Sequence, residues 1–193
     1  MDENQRYIEL EKVYSEYRER YPGSELVFGD GNAYAGYVLV GEAPGKDEVI
    51  QGRPFVGIAG GKLKDSMNYL GWSRDNIFIT NAIKYRLSKI SAKTGRKSNR
   101  PAKMAEIRDS RGLLARELEI LSPVLVVTLG NVPLKSLTGN FRESIGGLHG
   151  KIIKVGTWDL FPLYHPASII YNRSLEDVYR RDLEKLAEII KEV

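Results

Sequence analysis

Short apolar runs alternate with helical patterns along this chain, and that alternation constrains the fold more than any other feature. Residues 37–40 and 124–129 have the composition of strands buried on both faces, and 77–80 and 158–164 are two further predicted strands. Segments with helical periodicity lie between and around these runs, most clearly at 102–121 and 175–193. Because strands that alternate with helices form parallel sheets covered on both faces, we predict an α/β fold.

Composition limits the class of protein further. A chain of 193 residues is long enough for one well-buried domain, and we expect a single domain over 1–193. With no cysteine, disulfides and thiolate-bound metals are excluded, and two histidines are too few for a typical zinc site, although carboxylates leave magnesium open. No apolar run reaches the length of a membrane span, and the highly charged N-terminus is neither a signal peptide nor a transit peptide. We therefore expect a cytoplasmic protein with no membrane partner.

The charge distribution indicates a polyanionic partner. The formal net charge is +4, and the basic residues concentrate between 84 and 103, whereas the acidic residues gather in the terminal helices. Most of that basic stretch, 87–100, is polar and contains a glycine, so we predict a surface loop there. The alternative explanation of the charge is an ordinary solvated face.

The residues that follow the first predicted strand carry a candidate site. The strand stops at 41–45, GEAPG, where two glycines and a proline surround the carboxylate of Glu42. The turn at 52–57, GRPFVG, presents the ring of Phe55, and the glycine-flanked segment 59–61 opens an amphipathic helix. A carboxylate, a ring and bare backbone at a helix start indicate a pocket for a flat molecule beside a phosphate. The alternative is an ordinary strand–loop–helix crossover with incidental glycines.

Two other predicted strands deliver polar side chains to the same edge of the sheet. Asn81 follows the run 77–80, and His165 follows the run 158–164. Ligands of open α/β sheets bind at the carboxyl ends of the strands, so we expect Glu42, Asn81 and His165 to lie together. The chain has neither GxGxxG after a strand nor GxxxxGK followed by Ser or Thr, which excludes the usual dinucleotide and P-loop sites.

Taken together, these motifs resemble those of the uracil-DNA glycosylase superfamily, most closely its family-four branch. Four motifs carry the resemblance in the family's order: GEAPG at 41–45, GRPFVG at 52–57, Thr80-Asn81, and His-Pro-Ala at 165–167. The resemblance covers the chain from about Leu26 to the C-terminal helix. It implies a three-layer α/β/α sandwich around a short, mainly parallel four-stranded sheet. The implied reaction is hydrolysis of the N-glycosidic bond of deoxyuridine in DNA.

The chain departs from that family at the cofactor. Family-four enzymes usually hold an iron–sulfur cluster through cysteines, whereas this chain has none, and Tyr85 and Ser110 stand where two of them are expected. We therefore expect no iron–sulfur cluster and no other cofactor. In the family the cluster lies away from the chemistry, so its loss bears on stability and DNA docking more than on catalysis. A related branch traps uracil-DNA through a histidine in the basic loop, and the absence of histidine there excludes that trapping.

The resemblance, combined with the chemistry of the residues, implies a role for each side chain. We expect Phe55 to stack on a flipped uracil and the carboxamide of Asn81 to pair with uracil N3–H and O4, a pattern that cytosine reverses. Glu42 would balance the sugar cation and orient or deprotonate the water, and His165 would donate to the developing charge on uracil O2. Glu48 would obstruct the thymine methyl group. The respective alternatives are a core phenylalanine, an asparagine that caps a turn, a structural histidine and a solvated glutamate.

The remaining predicted contacts involve the base and the DNA. The neighbours of Glu42 expected to bind substrate are Gly41 and Ala43. Backbone N–H groups are expected to hold phosphates at Gly60, Gly61, Gly130, Asn131 and around Ser168. Salt-dependent affinity is expected from Lys89, Lys93, Arg96, Lys97 and Arg100. The apolar residues expected to wedge into the space left by the base, which suit a buried helix start equally well, are Ile169, Ile170 and Tyr171.

We therefore predict a monomeric uracil-DNA glycosylase of base-excision repair, acting on single- or double-stranded DNA. One alternative is a protein that binds uracil or single-stranded DNA with little turnover. The missing cluster and the extended basic loop favour it, and the presence of both Glu42 and His165 opposes it. A third possibility, hydrolysis of free nucleosides or nucleotides, is disfavoured by the basic surface.

Overall fold

A computed structural model describes residues 4–192 of the chain. The strands are β1 (Asp30–Gly31), β2 (Tyr37–Gly41), β3 (Phe78–Asn81), β4 (Ser88–Ile90), β5 (Lys97–Asn99), β6 (Leu125–Leu129), β7 (Ile153–Val155) and β8 (Trp158–Leu163). The helices are α1 (Gln5–Arg20), α2 (Lys46–Gln51), α3 (Ile58–Tyr69), α4 (Met104–Leu121), α5 (Asn131–Thr138), α6 (Ile145–Leu148), α7 (Pro166–Tyr171) and α8 (Glu176–Glu192). A 3₁₀ turn spans Arg173–Leu175. The last residue of the predicted 175–193 helix lies outside the described residues.

The main sheet has six strands in the order β1-β3-β2-β6-β8-β7. Its four inner strands run parallel: Val38 pairs with Phe78 on one side and with Val126 on the other, and Val126 pairs with Leu160. The edge strands β1 and β7 are antiparallel to their neighbours. The mainly parallel α/β sheet is confirmed, whereas its predicted size of four strands is wrong because two short edge strands extend it to six. Neither edge strand exceeds three residues, so neither leaves a clear alternating pattern in the sequence.

Helices cover both faces of the sheet, which gives the three layers that were predicted. Alternate residues of a strand point to opposite faces, so Val38 and Val40 contribute to one apolar core and Leu39 contributes to the other. The first core is completed by α1, α4 and α5, and the second by α3, α7 and α8. Across residues 4–192, we find no helix with the length and apolarity needed to cross a membrane.

The basic stretch 87–100, predicted as a surface loop, contains a β-hairpin whose residues are mostly exposed. Strands β4 and β5 pair antiparallel, with Ser88 opposite Asn99. The turn is closed by the Ser91 N–H, which donates to the carbonyl of Arg96 at 2.9 Å. Eight successive residues, 92–99, are exposed. The hairpin therefore lacks the apolar alternation by which a half-buried strand is recognised.

Candidate active site

A cleft of about 360 Å³ opens at the carboxyl ends of β2, β3 and β8. Five of the predicted catalytic or substrate-binding residues line it: Ala43, Glu48, Phe55, Asn81 and His165. They come from three separated parts of the chain, and the parallel sheet brings them together by placing its strand ends at one edge. Of the three residues expected to lie together, Asn81 and His165 line the cleft and Glu42 does not.

Phe55 lies in a conformation that its surroundings must enforce. Its φ is +54°, a region that non-glycine residues rarely occupy. Its ring is 5.9 Å from that of His165, with 28° between the two planes. Arg74 Nη2 donates to the Pro54 carbonyl at 2.6 Å, and Arg74 Nη1 is 2.5 Å from a carboxylate oxygen of Asp30. This clamp holds the backbone that presents the ring.

Glu48 binds the loops on either side of α2. Its Oε2 accepts a hydrogen bond from the Gly45 N–H at 3.0 Å. Its Oε1 accepts from the Val56 N–H at 3.0 Å and from the Gly57 N–H at 2.8 Å. The residue lines the cleft and also connects the GEAPG turn to the turn that carries Phe55. The solvated glutamate considered as an alternative is therefore excluded.

His165 is oriented by its own backbone and by a glycine. The ring Nδ1 accepts from the Ala167 N–H at 3.1 Å, so the proton of the neutral ring resides on Nε2. Burial lowers the pKa of His165 to about 4. A β-carbon at Gly130 would lie 3.1 Å from the His165 Cβ, and Gly130 has a φ of +89°. Glycine at 130 thus permits a close approach that any side chain would crowd.

Glu42 directs its carboxylate toward the segment before α4. Its carboxylate is absent from the lining of the cleft, and Oε1 accepts from the Ala102 N–H at 3.1 Å, just before α4. Partial burial raises the pKa of Glu42, and the hydrogen bond from Ala102 opposes that shift. The backbone of Glu42 is fixed to the segment that follows β3, because the Ile83 N–H donates to the Glu42 carbonyl at 2.9 Å.

Asn99 lines the cleft and was not anticipated from the sequence. It is the last residue of β5, and its Oδ1 accepts from Arg86 Nε at 3.0 Å. Its Nδ2 lies near Gly45, within 3.2 Å of the position that a β-carbon there would take. No periodicity or motif singles it out, because only the pairing of β4 with β5 carries it to the site.

Comparison with known proteins identifies the fold family. The model of the uracil DNA glycosylase superfamily matches residues 28–191, which is most of the chain. The chain belongs to the uracil DNA glycosylase superfamily.

Several curated relatives within this superfamily are similar over most of the chain. A type-4 uracil-DNA glycosylase of Saccharolobus solfataricus is 36% identical over 84% of this chain and 74% of that protein. The corresponding proteins of Archaeoglobus fulgidus and Thermotoga maritima are 33% and 32% identical, over 86% and 87% of this chain and 82% and 84% of their own lengths.

Three backbone N–H groups that were expected to bind DNA phosphates donate instead to carbonyl groups of the protein, so the expectation is wrong for these three groups. The N–H of Gly61 donates to Gly57 at 3.1 Å, that of Gly130 to Leu163 at 2.8 Å, and that of Ser168 to His165 at 2.8 Å, each to a carbonyl. These donors already have partners inside the protein. Gly60 is buried against Phe55, and the exposed Asn131 opens α5, where its Oδ1 accepts from the Ile145 N–H at 2.8 Å.

The apolar residues after the His-Pro motif divide into two groups. Ile169 is buried in the apolar core, so the expectation that it wedges into DNA is corrected. Ile170 and Tyr171 are exposed, Tyr171 by 86%, and both line the cleft. Helix α7 places Ile169 in the core and leaves Ile170 and Tyr171 exposed. The sequence alone did not show which of the three residues would be buried.

The basic side chains of the β4–β5 hairpin also differ in their partners. Lys97 is 2.5 Å from a carboxylate oxygen of Glu25, and Arg100 is 2.5 Å from one of Glu106. Lys89, Lys93 and Arg96 are exposed, and Lys97 is exposed as well despite its ion pair.

The cysteine-ligated cluster that is usual in the family-four branch does not fit this chain. Tyr85 packs its ring 4.7 Å from that of Tyr21, and Ser110 is fully buried with its Oγ directed at the Ile107 carbonyl, 3.3 Å away. None of these groups is a thiolate. Within the described part of the chain, no group of three or more histidine, aspartate or glutamate side chains is arranged to hold a metal ion.

Proposed function

We propose that the protein is a uracil-DNA glycosylase that flips uracil out of DNA and hydrolyses its N-glycosidic bond to leave an abasic site. The observation that carries this proposal is the convergence of an aromatic ring, a carboxamide and a neutral imidazole, from Phe55, Asn81 and His165, in one cleft. The reaction needs a surface for the base, a reader of its edge and a donor for the departing anion. The type-4 relatives are named for the same activity.

Uracil would be held by Phe55 and read by Asn81. The Phe55 ring, fixed by the Arg74 clamp, offers a face for stacking. The Asn81 carboxamide would accept from N3–H and donate to O4, whereas cytosine presents the opposite pattern. Glu48, which borders the same cleft, would limit the space beside C5 and so obstruct the methyl group of thymine. The carboxyl-edge backbone at Gly41 and Ala43 would complete the enclosure.

The departing base would be stabilised by His165. Cleavage leaves negative charge on uracil, concentrated on O2 and N1. Because Nδ1 of His165 is occupied by the Ala167 N–H, the neutral ring has Nε2–H as its donor. A pKa of about 4 keeps the ring neutral near pH 7, so His165 would donate a hydrogen bond without transferring its proton.

Glu42 would act on the sugar and the water. Its Oε1 is bonded to the Ala102 N–H, which leaves Oε2 to orient or deprotonate a water molecule. The carboxylate would also balance positive charge on the sugar as the bond to the base lengthens. The pKa of Glu42, raised by burial, makes its carboxylate a stronger base than that of an exposed glutamate.

The DNA would be held along the hairpin and α7. Lys89, Lys93 and Arg96 provide exposed positive charge for phosphates, and Tyr171 and Ile170 provide apolar bulk beside the cleft to occupy the space vacated by the base. The protein would act as a monomer.

The test is single-turnover excision on oligonucleotides that contain one deoxyuridine, in single-stranded and duplex form. The wild type should yield abasic product, and a thymine-containing oligonucleotide should stay intact. Glu42→Gln and His165→Gln should each lower the rate roughly a hundredfold or more. His149→Gln, at the only other histidine and outside the cleft, is the matched control and should retain the rate. No excision of uracil by the folded wild type would refute the proposal.

A uracil- or single-strand-binding protein with little turnover is the second candidate. The position of the Glu42 carboxylate outside the lining of the cleft favours it. Tight binding of the deoxyuridine oligonucleotide with the base retained would support this candidate. Excision that is lost in Glu42→Gln would eliminate it. Competition by undamaged DNA would exclude hydrolysis of free nucleosides.

A further inference from the structure

An ion pair without solvent contact lies beneath the cleft. Lys84 Nζ is 2.5 Å from Oε2 of Glu117, on α4, and both side chains are 0% exposed. Burial lowers the pKa of Lys84, and the adjacent Glu117 carboxylate opposes that shift. Because removing two charges from water is costly, and apolar residues of similar volume stabilise a core at least as well, folding stability alone does not explain a lysine at this position.

The contacts of the Lys84 ammonium group point to the cleft. Besides Glu117, Nζ donates to the backbone carbonyl of Asn81 at 2.5 Å and to Oγ1 of Thr80 at 2.8 Å. Asn81 is the last residue of β3 and lines the cleft. One charged group therefore holds the peptide from which the base-reading carboxamide projects.

The same turn also fixes the end of β2. The N–H of Ala82 donates to the Gly41 carbonyl at 2.8 Å, and the N–H of Ile83 donates to the Glu42 carbonyl at 2.9 Å. Lys84 follows directly. Through the segment 81–84, Lys84 therefore helps to fix the backbone of both Asn81 and Glu42.

The pair is anchored on its other side by the first helix. Tyr14, on α1, donates its hydroxyl hydrogen to Glu117 Oε1 at 2.7 Å, and Thr80 Oγ1 donates to the same oxygen at 3.1 Å. Both carboxylate oxygens of Glu117 therefore have partners. A buried network with its donors and acceptors satisfied is rigid, which suits it to fixing a backbone.

We propose that Lys84, held by Glu117, is a positioning residue that fixes Asn81 and the backbone of Glu42 for excision of uracil. The roles of Asn81 and Glu42 in this statement rest on the proposed function. The side chain of Lys84 is buried and acts through the backbone carbonyl of Asn81.

The test uses Lys84→Met/Glu117→Gln, which removes both charges and leaves no buried ion unpaired. The control is Ser66→Ala/Tyr179→Phe, which deletes a buried hydroxyl–hydroxyl hydrogen bond of 3.0 Å in the core on the other face of the sheet. Amide hydrogen exchange and the single-turnover rate of uracil excision are measured for both variants. The excision rates are measured again after Asn81→Ala has been added to each variant and to the wild type. If the first variant fails to fold, Thr80→Val, which removes one partner of the ammonium group, replaces it with the same expectations.

The first variant should speed exchange of the Ala82 and Ile83 amides roughly tenfold or more relative to amides of β6, and the control should not. It should slow excision roughly tenfold or more in the wild-type background and by a smaller factor with Asn81→Ala, because only the effect on the Glu42 backbone then remains. Unchanged exchange, or rate losses that multiply independently, would overturn the proposal. A wild type that excises no uracil would refute the proposed function alone, and the exchange rates would then decide whether Lys84 fixes this backbone.

Discussion

Gly60 lies so close to Phe55 that a β-carbon at position 60 would overlap the carbonyl oxygen of Phe55. At Gly61, the next residue of α3, a β-carbon would meet no atom within 4 Å. The two glycines look equivalent in the sequence, and both were expected to bind phosphate. Their surroundings give them different roles, because only Gly60 allows the Phe55 turn to pack against the helix.

Alanine substitutions should separate the two glycines. We expect Gly60→Ala to lower the free energy of unfolding by about 1–3 kcal/mol, because the added carbon forces the Phe55 backbone to move, and to slow excision with it. Gly61→Ala should raise the free energy of unfolding by up to about 1 kcal/mol, since alanine is the better helix former. Urea unfolding and single-turnover excision measure both effects. Equal effects of the two substitutions would contradict this account of Gly60.

Arg74 should matter to excision more than Arg53 does. Both arginines contact Asp30, but only Arg74 donates to the carbonyl of Pro54. Arg74→Gln should therefore release the positive-φ backbone of Phe55 and slow excision roughly tenfold, with a loss of about 1–2 kcal/mol in unfolding free energy. Arg53→Gln, at an exposed side chain, is the matched control and should change both by much less. Similar rate losses in the two variants would show that the clamp does not act through Phe55.

The sequence predicted the parts of the fold that carry strong local patterns. The parallel core was recoverable because residues such as Val126 and Val127 are buried on opposite faces of β6, which produces an uninterrupted apolar run. Asn81 and His165 were recoverable because each directly follows such a run. Strand ends in a parallel sheet share an edge, so a one-dimensional pattern was sufficient to place these two residues in one cleft.

The features that the sequence did not reveal depend on contacts between distant residues. Asn99 reaches the cleft because β5 pairs with β4. Neither strand of that hairpin has a buried face, so its sequence shows no apolar alternation from which the pairing could be predicted. Glu48 was expected to face the base, and its three backbone hydrogen bonds became visible only when the turns on either side of α2 were placed. The partners of the Gly130 and Ser168 N–H groups were likewise set by tertiary structure.

The exposed charges of the hairpin should set the salt dependence of DNA binding. Replacing Lys89, Lys93 and Arg96 by alanine should make the slope of log affinity against log salt concentration less steep. For each phosphate that is no longer neutralised, the slope should change by roughly 0.9 on duplex DNA and by roughly 0.7 on a single strand. The control is Lys185→Ala/Lys191→Ala on the exposed face of α8. Fluorescence anisotropy over a salt series gives both slopes. An unchanged slope in the hairpin variant would place the DNA elsewhere.

His165 should make the protein less stable as the pH falls from about 6.5 to about 4. Its pKa is about 4 in the folded protein against 6.5 for an unperturbed histidine, so between these values the unfolded chain binds the proton that the folded chain excludes. Stability therefore rises with pH through this window, by at most about 3 kcal/mol from this residue, and has no His165 dependence above it. His165→Gln should remove that part of the pH dependence, whereas His149→Gln should retain it. Urea unfolding at several pH values measures the free energy of unfolding of each variant. If it depends on pH identically in the wild type and in His165→Gln, then His165 titrates normally and is not the neutral hydrogen-bond donor that we propose.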